Sequence, residues 1–264
     1  MLPFLAHFTF FGAKLAIPTY GALLATAFFL GYRLCMHYSH LANDRPEVLD
    51  QLFVWVLGAA LVGARLFHVF FEGFSYYRLH PLDVFFVWRG GYTFYGAMMG
   101  ALVSMILFSR YARVSFRHYA DMATPATALG LGIGRIGCFA AGCCWGKPTH
   151  VPWAVTYSHV DSFCPWRGVP LHPTQLYESA GAFVLALFLH WFWRRRQYEG
   201  QVLFVGLVGY AVLRILVEIF RGDDYRGLFF GGLLSYSQAL SLFFLALGFV
   251  GLLLVPHRPL SHRS

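Results

Sequence analysis

Seven apolar segments, each long enough to cross about 30 Å of hydrocarbon as a helix, constrain this chain more than any other feature. They cover approximately residues 16–36, 50–71, 91–109, 119–143, 173–193, 201–220 and 230–255. In lipid every backbone N–H and C=O must find its partner within the protein, so a chain divided this way is expected to form a helical bundle. Composition agrees. Of 264 residues, 58% are hydrophobic and 12% charged, where a soluble domain carries about 25% charged residues; the mean hydropathy is +0.57. A water-soluble globule is excluded, and the glycines and prolines fall in no short period, which excludes collagen-like and low-complexity classes. The expected fold class is an all-α integral membrane protein, one domain over residues 1–264, with seven transmembrane helices and a small external cap at about 145–172. That stretch, WGKPTHVPWAVTYSHVDSFCPWRGVPLHP with its flanks, is too aromatic for an inert linker. Residues 4–12 are too short to span and are expected to lie at the interface.

The net charge of +8 comes from Lys and Arg that sit mostly between the apolar runs. It therefore sets topology and meets anionic membrane lipid, and nucleic acid is not an expected partner. The short clusters Arg110, Arg113, Arg117 and Arg194, Arg195, Arg196 are placed inside, which puts the N-terminus outside and the C-terminus in the cytoplasm. The opening MLPFLAHFTFFGAK has no basic n-region and is not expected to be a cleaved signal. No internal repeat is visible, so an inverted-repeat transporter is not supported.

Three arginines fall inside spans: Arg65, Arg135 and Arg214. Each costs about 2.5–3.5 kcal/mol or more at a helix centre, so each needs a carboxylate, a cavity or a bound anion. One reading is pairing: Arg214 with Glu218 at i, i+4, and Glu178 or Asp121 for the others. The other is anion binding. Arg135 lies in GLGIGRIGCFAAGCCWG, where six glycines permit close backbone or ligand approach, and a guanidinium in such a pocket suits a phosphate headgroup. Tight helix packing explains the glycines equally well. The block HPTQLYES puts His172, Gln175, Tyr177 and Glu178 at the start of the fifth span, and Tyr210, Arg214, Glu218 and Arg221 form a polar stripe on the sixth.

The five cysteines form no CxxC pair. Cys138, Cys143 and Cys144 admit apolar packing, a redox pair with Cys164, a metal site with His150 or His172, or a thiolate near Arg135.

GRIGCFAAGCCWG, LHPTQLYE, YAVLRILVEIFRGDD and YSQALS, together with PTYG at 18–21, GAR at 63–65 and GGYTFYG at 90–96, occur in an order and spacing that resemble the prolipoprotein diacylglyceryl transferase family. The resemblance covers the whole chain. It implies a seven-span bacterial inner-membrane enzyme that moves the diacylglyceryl group of phosphatidylglycerol onto the lipobox cysteine of a preprolipoprotein and releases glycerol 1-phosphate. No cofactor and no metal are expected. Arg135 and Arg214 match the family's essential arginines, expected to hold the phosphate as charge develops. Tyr20, Gly146, Tyr210 and Glu218 match lipid-site positions, Arg65 is assigned to the same lipid-binding set, and Gln175, Glu178, Cys138 and Cys143 are supporting residues. Where the family carries His in its third-span block this chain has Tyr95, and Cys138 and Cys143 replace Asn and Glu. Tyr95 and His172 are therefore the candidate catalytic groups beside the arginines. The rival readings are a paralogue with another acceptor and a non-catalytic phospholipid- or partner-binding protein.

Overall fold

The structure is a computed structural model that describes residues 4–10, 13–86, 88, 90–222, 228–229 and 234–254. Seven helices of 18 or more residues dominate: α1 (Thr19–Leu41), α2 (Pro46–Phe67), α4 (Phe94–Tyr111), α5 (Phe116–Ala141), α6 (Thr174–Trp193), α7 (Gln201–Glu218) and α8 (Tyr236–Leu254). A short α3 (Phe74–Leu79) separates a π turn at His68–Glu72 from a 3-10 turn at Pro81–Phe85. The seven long helices coincide with the seven expected spans. Among the described residues, five of them (α2 with its π extension, α4, α6, α7 and α8) are long and apolar enough to cross a membrane. The protein is a mostly helical, multi-span membrane protein.

Its strands are short two-stranded pairings. The segment expected to lie at the interface forms a strand, β1 (Phe4–Phe10), paired antiparallel with β2 (Ala13–Pro18). The aromatic residues and Thr9 of FLAHFTF favour extended backbone, and the pairing with β2 satisfies its N–H and C=O groups. β3 (Val155–Thr156) pairs with β4 (Pro170–Leu171), and β5 (Leu228–Phe229) with β6 (Leu234–Ser235).

Contacts divide the chain into two compact units, residues 36–119 and residues 1–35 with 120–264. In the first, α2 and α4 meet backbone to backbone. A Cβ on Gly63 would lie 2.5 Å from Gly96 O, one on Gly96 2.4 Å from Gly63 O, and one on Gly100 2.2 Å from Ala59 O. Small residues four apart on both helices permit this seam, where dispersion rather than a hydrophobic force holds the pair in lipid. Arg65, near the end of α2, is buried and donates to backbone carbonyls of Asp83 (2.7 Å), Val84 (3.1 Å), Gly91 (3.2 Å) and Gly90. It thereby ties down the non-helical chain leading into α4, with Tyr77 5.3 Å beneath its guanidinium.

In the second unit α5, α6 and α7 run alternately. The fully buried Asp121, in the second turn of α5, accepts from Gly200 N at 2.8 Å and Leu203 N at 2.9 Å. It thus caps the α7 N-terminus in place of the N-cap residue Gly200, which has no side chain and sits at φ +93°. This fixes α5's start beside α7's start and sends their other ends, with the start of α6, to a common place.

The glycine seam gives a test. Gly100→Ala is expected to lower the thermal midpoint in detergent, by an overpacking cost of about 1–3 kcal/mol. Gly58→Ala, whose Cβ would meet nothing within 4 Å, should leave the midpoint unchanged or raise it.

Candidate functional site

Helix α5 ends in a Schellman turn. Gly142 takes φ +78°, its N–H reaches Phe139 O at 3.2 Å, and Cys143 N reaches Cys138 O at 3.1 Å. The turn folds the chain back over the last helical residues. Residues 145–147 then run between the strand entering α6 and the chain leaving α7: Gly146 N donates to His172 O (3.0 Å) and Lys147 N to Phe220 O (2.8 Å). A Cβ at Gly146 would lie 2.6 Å from His172 O and 2.7 Å from Phe220 O, so only glycine fits between these backbones. Gly146 bridges to Arg221, which draws that arginine inward although it lies beyond α7; it is buried.

The result is a charged centre at one end of the α5–α6–α7 group. Glu178, one turn into α6, is fully buried. Its Oε1 accepts from Arg135 Nη2 at 2.9 Å, and its Oε2 lies 3.6 Å from Arg214 Nη1 and 3.9 Å from Arg221 Nη1. Arg214 Nη2 pairs with Glu218 Oε2 at 2.8 Å and donates to Ser237 Oγ at 2.9 Å, while Ser235 Oγ donates to Glu218 Oε1 at 2.7 Å. Among the described residues, three guanidiniums share two carboxylates here. Two donors in the cluster, Arg135 Nε and Arg214 Nη1, have no hydrogen-bond acceptor among the described residues. Such buried donors are chemically suited to a carboxylate or phosphate oxygen.

Side chains on α6 pin the surrounding chain. Thr174 Oγ1 donates to Cys144 O at 2.8 Å, Gln175 Nε2 to Cys143 O at 2.6 Å and to the Tyr157 hydroxyl at 2.9 Å, and Ser179 Oγ to Gly132 O at 2.8 Å. Behind this lies a small folded cap whose core is Trp145, Tyr157, Cys164 and Leu171, with Val155 and Val169 against it. Burial pushes the Tyr157 phenol up to about 12, so at neutral pH it stays protonated.

Most of the expected site residues meet here. Arg135, Arg214, Glu178 and Glu218 form the centre, and Gln175, Gly146, Cys138 and Cys143 line it. Tyr20, on α1, packs its ring where Gly137 lacks a side chain. Tyr210, one turn before Arg214, lies 6.3 Å from the Phe244 ring and within electrostatic reach of Arg135. His172 Nδ1 is 3.1 Å from the Tyr177 hydroxyl, which also accepts from Trp153 Nε1 at 2.7 Å. Tyr95, in the first turn of α4, and Arg65 belong to the other unit. The expectation that Asp121 or Glu178 would neutralise the remaining arginines holds for Glu178 alone: Asp121 serves the α7 N-terminus, and Arg65 is met by carbonyls. The polar stripe expected on the sixth span already held Arg221 at i, i+3 from Glu218, and the structure brings it to Glu178. Ser235 and Ser237, which meet Glu218 and Arg214, were not among the expected site residues.

A multi-pass helical membrane protein with an arginine–carboxylate centre buried at one helical end is the class that fold and site define. The chain belongs to the prolipoprotein diacylglyceryl transferase family, whose sequence model matches residues 7–254. It is 38% identical over 234 residues to the phosphatidylglycerol–prolipoprotein diacylglyceryl transferase of Bordetella avium, covering 86% of each chain. The Bordetella parapertussis protein of that name is 36% identical over 250 residues, with 93% of each covered. That of Synechocystis is 33% identical over 251 residues, with 90% of this chain and 84% of the relative covered.

Glu178 lies against three guanidiniums at once, so its loss should be costly. Glu178→Ala is expected to destabilise by about 3–5 kcal/mol, the cost of leaving buried charge unpaired. It should appear as a lower thermal midpoint in detergent, with the rest of the chain still inserted.

Proposed function

We propose that this chain transfers the diacylglyceryl group of phosphatidylglycerol to the lipobox cysteine thiol of a preprolipoprotein. The observation that carries the reading is the buried Arg135–Glu178–Arg214 centre, where Arg135 Nε and Arg214 Nη1 have no hydrogen-bond acceptor among the described residues, in a chain whose relatives bear that enzyme's name. In the reaction a C–S bond forms at the glycerol carbon while its C–O bond to phosphorus breaks. The thiol loses its proton, and glycerol 1-phosphate leaves with one more negative charge than the diester carried. Arg135 and Arg214 are the groups that meet this added charge. Fixed by Glu178 and Glu218 before substrate arrives, and screened little by water, they need no reorganisation when it develops.

The acceptor thiol needs a base. In the arginine-bearing unit His172 is the candidate, because its backbone closes on Gly146 and its ring is oriented by Tyr177 and Phe220. The arginine clusters 110–117 and 194–196 support an orientation in a bacterial inner membrane with the N-terminus outside and the C-terminus cytoplasmic. The charged centre then faces the outer side, where an exported precursor presents its cysteine. A second reading, a phospholipid-binding protein that does not turn over, is favoured by the thiols standing where the family carries Asn and Glu.

The test uses purified protein in detergent, phosphatidylglycerol and a lipobox peptide, following glycerol phosphate release and peptide mass. Arg135→Ala and Arg214→Ala are each expected to lower turnover by at least ~10²-fold while eluting as monodisperse protein. Wild-type turnover in either would remove the arginine clamp. His172→Gln is expected to cost about 10²–10⁴-fold with Tyr95→Phe still active; the reverse pattern assigns the base to Tyr95. Bound phosphatidylglycerol with no peptide mass gain would favour the second reading.

A further inference from the structure

We propose that Cys138, Cys143 and Cys144 form a three-thiolate site for one soft d10 cation, Zn²⁺ or Cu⁺. The inference does not rest on the proposed transfer. The Schellman turn carries Cys143 back over Cys138, and the next residue, Cys144, takes a left-handed φ of +63°. All three Sγ atoms then lie within 4.8 Å of one another. Thiolates at 2.3 Å from a metal stand about 3.8 Å apart in tetrahedral geometry, so closing the set needs a contraction of at most about 1 Å. The donor set is sulfur alone, which selects Cu⁺ or Zn²⁺ over harder ions. Neither His150 nor His172 joins it.

The left-handed Cys144 is the second observation. A non-glycine residue there is sterically disfavoured. It persists because Thr174 holds its carbonyl at 2.8 Å and Gln175 that of Cys143 at 2.6 Å. This strain turns the Cys144 sulfur toward its two partners. Arg135 Nη1 donates to Cys144 Sγ at 3.6 Å. Binding Zn²⁺ would release the thiol protons to solvent and leave a complex with a single negative charge, beside a guanidinium that matches it. The metal would clip the end of α5 in the conformation that positions Arg135 against Glu178.

The experiment takes the full-length protein, reduced and desalted under anaerobic conditions. It is incubated in separate arms with Zn²⁺ alone and Cu⁺ alone, desalted again, and measured for metal per chain. One equivalent is expected in at least one arm, with a raised thermal midpoint; the arm that retains metal identifies the ion. Cys138→Ser, Cys143→Ser and Cys144→Ser should each weaken retention by at least about 10-fold, since even outer-shell partners cost 10–100-fold in metal affinity. Cys164→Ser should retain it. Because serine variants can misfold, maleimide labelling of the wild-type protein decides independently. Metal should protect Cys138, Cys143 and Cys144 and leave labelling of Cys35 and Cys164 unchanged. No retained metal in either arm, one equivalent retained by the triple serine variant, or protection confined to Cys35 or Cys164 would each overturn the proposal.

Discussion

The buried carboxylate of Glu178 is the interaction on which this structure depends. Three arginines from two helices and the chain beyond them converge on a group with no access to solvent. None of those cations could remain there without it at tolerable cost. Two of the donors, Arg135 Nε and Arg214 Nη1, find no acceptor among the described residues. The groups that hold the cluster together are therefore the same ones that the proposed transfer would turn toward an oxyanion.

What delivers those side chains is the course of the backbone, set by two glycines and held by a few side-chain hydrogen bonds. Gly142 turns the chain at the end of α5. Gly146 lets three backbones lie side by side, and Asp121 fixes the far end of α7 so that its near end arrives in register. The polar α6 start then ties the turn down through Thr174 and Gln175. Each device is local, and together they position Arg135, Arg214 and Arg221 around a single acceptor.

The helices were legible in the sequence because apolar length is a strong signal. Arg135, Arg214, Glu178 and Glu218 were legible because charge in lipid is expensive enough to demand a reason. Partnership was not. Asp121 looked like a counter-ion for an arginine within a span, yet it takes backbone donors from the α7 N-terminus and lies 3.8 Å from Arg196 Nε, partners that linear sequence does not reveal. Arg221 was legible as a member of the polar stripe, but its approach to Glu178 depends on the pairing of its backbone with Gly146. The convergence of Cys138 and Cys143 was hidden because five residues on an ideal helix diverge. Reading Gly142 as a C-terminal cap would have predicted the fold-back. The N-terminal hairpin was missed because short apolar segments satisfy several conformations, and only pairing with Ala13–Pro18 selects one.

Arg65 ties the fate of one helix to a stretch of chain that is not helical. Its guanidinium is satisfied by carbonyls that lie up to 26 residues downstream, so the end of α2 cannot settle its own charge. A change in residues 83–91 that displaces those carbonyls leaves a buried cation without acceptors, and its cost is borne by α2.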